Sequence, residues 1–182
     1  MSILNKEYVG SVVAQILDAD AAFVIVGMDR SFSKELEQYG LNAYCYTVGL
    51  AQYGKPELII TGPQVESLAF TLKLIAAYAY ERKAFDHDWI DTDCVLGGVP
   101  FQVKDLLPHQ CAPLVQVASA YCSAKHIWPT FQQIVITDRD CRLPHEENYD
   151  AEYMTKQYGQ ILLYEDHLIR GNAHASPVSQ ST

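Results

Sequence analysis

Two stretches of this chain carry side chains that could do chemistry. The first is Asp86-His87-Asp88-Trp89-Ile90-Asp91-Thr92-Asp93. Carboxylates and an imidazole suit Ca²⁺, Mn²⁺ or Zn²⁺ by ligand type. The spacing argues against a dedicated site, because no glycine stands at the sixth place and no Glu at the twelfth of an EF-hand loop, and no His-x-x-x-His pair exists. A solvated loop, with Asp91 or Asp93 capping a turn, accounts for the run more simply. Asp86, His87, Asp88, Asp91 and Asp93 are therefore weak candidates, and no metal is expected. The second stretch is Asp138-Arg139-Asp140, followed by Arg142, Pro144, His145, Glu146 and Glu147. It comes directly after a strand-like run, and strand ends let polar side chains converge on a ligand from a fixed backbone. Arg139 or Arg142 could fork onto a carboxylate or phosphate, and Asp138 or His145 could move protons. The alternative is a turn knitted by internal Asp–Arg pairs, since Asp is a favoured turn residue.

A third position is set apart by its surroundings. Glu57 opens the run Glu-Leu-Ile-Ile-Thr. A carboxylate at the head of an apolar strand must be solvent-facing, paired or used. Lys55 and Arg139 are the cations considered as partners, and structural pairing is the favoured reading. Just before it, Thr47-Val48-Gly49-Leu50 reads as a strand end where Gly49 leaves room for another backbone or a ligand. The ligand-binding candidates are thus Tyr46, Thr47, Gly49, Glu57, Asp138, Arg139, Asp140 and His145. No catalytic residue is assigned. The chain has no G-x-S-x-G elbow, no phosphate loop, no cysteine beside a histidine and no metal-binding pair among its six histidines. No cofactor is expected, and whether the chain is an enzyme stays open.

These residues sit in a chain of 182, long enough to bury one sizeable core. Apolar residues make up 49% and charged residues 19%, which excludes wholesale disorder. With 22 acids against 13 bases the formal charge is −9, so nothing is left over to neutralise phosphates and nucleic acid is not an expected partner. The start lacks the pattern of a signal peptide. The longest uncharged stretch, 106–124, is broken by Pro108, His109, Gln110, Pro113, Gln116 and Ser119, so no membrane span is expected. Five cysteines, an odd number without a C-x-x-C, read as reduced and mostly buried thiols of a cytoplasmic protein. Twelve tyrosines exceed ordinary usage. Tyrosine is enriched at interfaces, though most of these should be half-buried in helices and strands.

The elements that must position the candidates follow from periodicity and punctuation. Helical spacing of apolar residues predicts a helix over 4–17, and β-branched runs predict strands over 22–26, 42–50 and 57–61. A short helix is expected over 31–39, ending at Gly40. Gly54 and Pro56 should turn the chain within 51–56. Pro63, placed at a first helical position, opens a helix reaching Arg82 with the stripe Val65, Leu68, Ala69, Leu72, Ile75, Ala76 and Ala79. After an acidic loop over 85–93 comes a hairpin over 94–107, turning at Gly97-Gly98. Pro100 should stand at a sheet edge or the start of its strand. A short strand at 114–117, a helix at 118–125 and a strand at 131–137 follow. Then come a polar loop at 138–148, a helical turn at 150–158 and a short strand at 161–164. The composition from Gly171 onward predicts a frayed tail. Strands come both adjacent and separated by helices. This favours one α+β domain over 1–165, a mainly antiparallel sheet flanked by two or three helices, with 166–182 as a C-terminal extension.

Tyr46-Thr47-Val48-Gly49-Leu50 with Gly54, Pro56-Glu57-Leu58 and Gly62, taken with Asp138-Arg139-Asp140, Arg142-Leu143-Pro144, Gln160 and Leu162, resembles the bacterial domain of unknown function 4262 family over roughly residues 1–165. The family often has histidines where this chain has Ala51 and Lys55. It usually has a glycine and an aromatic where this chain has Cys141 and His145. The segment 31–39 looks like an insertion. The resemblance implies a bacterial or phage-borne cytoplasmic protein and an α+β domain, and it implies no reaction. Two functions are in competition, and the sequence favours the first, because catalytic signatures are missing, the balance is acidic and tyrosine is abundant. One is a protein-binding accessory domain of regulatory, immunity-like or defence-related kind, with association into a homodimer left open. The other is a small-ligand enzyme or sensor with its site between residues 46–57 and the loop 138–145.

Overall fold

A computed structural model describes residues 5–19, 21–31, 36–37, 40–81, 89–91 and 96–165. The chain opens with helix α1 (Lys6–Asp18), started by the Asn5 side chain accepting from the Glu7 amide. Strands β1 (Val24–Asp29), β2 (Ala43–Val48) and β3 (Glu57–Gly62) form an antiparallel meander. Helix α2 (Val65–Glu81) follows, then strands β4 (Ile90–Asp91) and β5 (Phe101–Leu106). A four-residue turn of helix, α3 (Pro108–Cys111), leads into α4 (Gln116–Ala124) and the last strand, β6 (Phe131–Ile136). Helix α5 (Ala151–Tyr158) and a 3₁₀ turn (Leu163–Glu165) close the described chain. The sheet order is β1-β2-β3-β6-β5-β4. Every pairing is antiparallel except the central one, where β6 runs parallel to β3. This is the expected α+β domain with a mainly antiparallel sheet.

The two faces of the sheet are buried under different helices. Ala43, Cys45, Leu58, Ile60, Val103 and Ile134 meet Leu68, Leu72, Ile75 and Ala76 of α2 on one side. Tyr44, Tyr46, Val48 and Ile59 meet Val13 of α1 and Val117, Ala118 and Tyr121 of α4 on the other. Period-two alternation sends successive residues of β2 to opposite faces, which is why all six of its residues are buried. Tyr44 and Tyr46 stack at 5.9 Å on the α4 side, and the Tyr44 hydroxyl donates to the Leu114 carbonyl. Those two tyrosines are core residues rather than interface anchors. Gly27 lets α2 approach the sheet closely, since a Cβ there would lie 2.5 Å from Val65.

Several expectations are corrected. Residues 114–117 form no strand. Leu114 and Val115 fill a turn and Val117 lies in α4, because a short apolar run buried on all sides fits either element. Residues 161–164 make no strand either. The side chains of Thr61 and Gln133 satisfy the backbone there, with the Ile161 amide donating to the Thr61 hydroxyl and the Leu163 amide to Gln133 Oε1. Pro63 stands two residues ahead of α2 instead of at its first position. The helix expected over 31–39, the acidic loop 85–93 and the tail from 171 lie mostly or wholly outside the described residues. Among the described residues, no helix is long and apolar enough to cross a membrane.

Candidate functional site

The sequence candidates fall at opposite ends of the sheet. Glu57 pairs with Phe131 at the start of the parallel strands, whereas Asp138 follows their far end. Seven residues of extended chain separate the two positions by roughly 23 Å. Residues 46–57 and 138–145 therefore do not converge on one site.

At the first end, Glu57 is fully buried. Its Oε2 accepts from the Thr47 hydroxyl at 2.7 Å, and its Oε1 accepts from the amides of Gly49 at 2.8 Å and Ala51 at 3.1 Å. Gly49 takes φ +119°, which turns the chain into the 3₁₀ segment Leu50–Tyr53 and aims those amides inward. The partner of Glu57 is thus a polar turn and not a cation. Lys55 instead donates to the Ala79 carbonyl, and Arg139 lies at the other end. Burial pushes the Glu57 carboxyl above its ordinary value, and the hydrogen bonds from Thr47, Ala51, Gly49 and Leu50 offset only part of that rise. Gly49 sits against the backbone of Ala22 and Phe23, so its open space is filled by protein. Tyr46 and Thr47 are buried as well.

At the second end, Asp138 organises its own loop. Oδ1 accepts from the Asp140 and Arg142 amides and Oδ2 from the Asp150 amide, at 2.9–3.0 Å. Burial works against the charge on Asp138. The Asp150, Arg142 and Asp140 amides and the Arg142 guanidinium outweigh it and hold the carboxyl below its ordinary value. Asp140 pairs with Arg142 at 3.2 Å, the internal Asp–Arg pairing considered from sequence. His145 is exposed, 3.4 Å from the Gln102 side chain. Because its folded value is depressed, Asp138 stabilises the fold above pH 3.8, and that contribution is lost as pH falls through the folded value. Asp138→Asn keeps Oδ1 but replaces the acceptor for Asp150. We expect it to cost about 1 kcal/mol at pH 7. The gap to wild type should narrow below pH 4 in denaturant titrations, and a gap unchanged down to pH 2.5 would contradict the assignment.

Between this loop and α2 lies a cavity of about 510 Å³. Its floor is the carboxyl ends of the parallel pair, Thr61-Gly62 from β3 and Ile136 from β6 with Thr137 just beyond it. The first turns of α2 supply Ser67, Leu68 and Thr71 as one wall. Antiparallel β5 begins where β6 ends, so Gly98 and Val99 of the preceding turn form a second wall. Met154 and Tyr158 of α5 form the third, and Arg139 and Cys141 stand at the rim. Gln160 fastens α5 to the sheet. Its side chain accepts from the Ile136 amide and donates to the Ile136 carbonyl, as a neighbouring strand would.

Of the sequence candidates, only Asp138 and Arg139 line this cavity. Ser67, Thr71, Val99, Met154 and Tyr158 carried no signal, because only the strand order brings them together. Among the described residues no group of three His, Cys, Asp or Glu could hold a metal. Asp86, His87, Asp88 and Asp93 lie outside the described residues, and Asp91 belongs to β4. Cys45, Cys111 and Cys122 are buried free thiols, each pushed up to about 12 by burial and so unreactive at neutral pH.

Fold and site together define an α+β domain that opens a cavity at the carboxyl ends of its one parallel strand pair. The chain belongs to the domain of unknown function 4262 family, whose family model matches residues 23–150. The match includes β1 to β6, the strands among the described residues, and the Asp138 loop, but stops short of α1 and α5. No curated protein and no solved structure matches the chain significantly.

Proposed function

We propose that this protein is a small-ligand-binding domain, a sensor or an enzyme, whose site is the cavity between α2, α5 and the Asp138 loop. One observation carries this reading. A cavity of about 510 Å³ sits where α/β folds commonly hold ligands, at strand carboxyl ends beside a helix start. Its size falls within the range of small-molecule sites, roughly 300–1,000 Å³. The lining combines apolar Leu68, Val99, Ile136 and Met154 with the hydroxyls of Ser67, Thr71 and Tyr158. The free buried thiols support a reducing compartment for it.

The test is a thermal-shift screen of metabolites against the full chain and Thr71→Trp, which fills the cavity from a half-buried helix position. A ligand at a hundredfold its Kd should raise the wild-type Tm by roughly 5–10 °C and leave the variant unmoved. Hits that stabilise both proteins equally would place binding elsewhere.

A second reading, the protein-binding accessory domain, is favoured by the far end of the sheet. Trp128 is 96% exposed there, beside a groove of about 450 Å³ formed with Pro108, Ile127, Pro129 and Phe131. Tryptophan so placed is a common anchor residue of interfaces. A host protein bound by wild type and by Thr71→Trp but lost in Trp128→Ala would favour this reading over the first.

A further inference from the structure

We infer that the cavity selects an amphipathic anion, with its acidic head at Arg139 and its apolar body over Leu68 and Met154. The inference rests on the ligand-binding reading above and adds the chemistry of the ligand. The charges around the cavity support it. Asp138 lines the cavity, but both of its oxygens are engaged by amides of its own loop. Glu66, in the first turn of α2, is exposed and is not part of the lining. Among the described residues Arg139 is the lining cation. Its side chain is 60% exposed, and its ion pair with Asp150 spans 3.8 Å, too long for a hydrogen bond. The Tyr153 ring lies 5.1 Å from the guanidinium carbon. This ring backs the guanidinium and limits its wandering, as a cation–π contact does. The planar fork thus keeps donors for a two-oxygen acid group. The first turns of α2, the positive end of that helix dipole, also line the cavity. Leu68, Val99, Ile136 and Met154 give the cavity the apolar part of its lining.

The probes are 8-anilinonaphthalene-1-sulfonate and N-phenyl-1-naphthylamine, which share a ring system and differ by the acidic group. Fluorescence titration uses the full chain carrying Trp128→Ala, so that the second groove contributes nothing. The sulfonate should bind at least tenfold tighter than the neutral probe. Arg139→Gln should remove about tenfold of sulfonate affinity and leave the neutral probe within twofold, while Arg139→Lys restores part of the loss. Thr71→Trp should weaken both probes. Octanoate and octyl phosphate should displace the sulfonate at concentrations where 1-octanol does not, and the stronger competitor identifies the head as carboxylate or phosphate. If Thr71→Trp weakens both probes but Arg139→Gln changes neither, the cavity is a site and the anion selection is wrong. If Thr71→Trp changes neither probe, the ligand-binding reading falls as well.

Discussion

Glu57→Ala should destabilise the chain by about 4 kcal/mol, measured as the change in unfolding free energy in a urea titration. The carboxylate is the shared acceptor of the Thr47 hydroxyl and the Gly49 and Ala51 amides, in a place closed to water. Truncation leaves three buried donors without a partner, each costing roughly 1–3 kcal/mol before relaxation. Thr47 also accepts from the Leu58 amide, so the damage reaches into β3. Glu57→Gln should cost far less, about 1 kcal/mol, because one oxygen still accepts the two amides. The pair of variants separates a structural acceptor from a charge. A pH series sharpens the distinction. The folded carboxyl lies above its ordinary 4.5, so its contribution is greatest below that value and is lost as pH rises through the folded value. Glu57→Gln should therefore compare worst with wild type in acid and improve as pH rises. Equal losses for Ala and Gln at every pH would show that the hydrogen-bonded turn is not what Glu57 supports.

Gly159→Ala should cost about 3 kcal/mol, part backbone strain and part collision. Gly159 ends α5 with φ +61°. An added Cβ would lie 2.9 Å from the Gly62 carbonyl oxygen and 2.7 Å from the Asn42 side-chain nitrogen. The carbonyl belongs to the sheet and cannot step aside. Gly54→Ala supplies the comparison. It has the same left-handed backbone, φ +69°, with open space where the Cβ would go, so it should lose only about 1 kcal/mol. The difference between the two losses measures how tightly α5 is held against the end of β3. Since Met154 and Tyr158 of α5 wall the cavity, Gly159→Ala should also weaken binding of the naphthalene probes, and Gly54→Ala should not. Similar losses from the two variants would contradict that close contact.

Much of the architecture was legible because local patterns agree with the final fold. The stripe from Val65 to Ala79 gave α2, the runs at 42–50 and 57–61 gave two buried strands, and Gly97-Gly98 gave the turn before β5. Glu57 was legible as an anomaly, since a carboxylate in an apolar strand must be satisfied somehow. Its partners were not, because amides are invisible in a sequence until a turn such as Gly49 aims them. Two cations nearby in sequence or motif, Lys55 and Arg139, looked like the answer and are not. Residues 161–164 misled for a related reason: buried Thr61 and Gln133 side chains give that segment the hydrogen bonds that a strand would have taken. The cavity depends on β6 lying parallel beside β3, a pairing between residues 74 apart in sequence that no local pattern encodes. Ser67 and Thr71 could be read only as helix-surface residues until that pairing was known.

The same pairing sets an order of events during synthesis. Strand β6 leaves the ribosome about 50 residues after β1, β2, β3 and α2 are finished. The early half can seat α2 against one face of its three strands. On the other face Tyr44, Tyr46, Val48 and Ile59 lack the cover of Val117, Ala118 and Tyr121 until α4 emerges. The edge of β3 that will receive β6 stays open for the same interval. The nascent protein thus passes through a stage with an aromatic face and a free strand edge exposed together. Cover for that face and edge, of the kind a chaperone gives, matters most while residues 82–130 are being made.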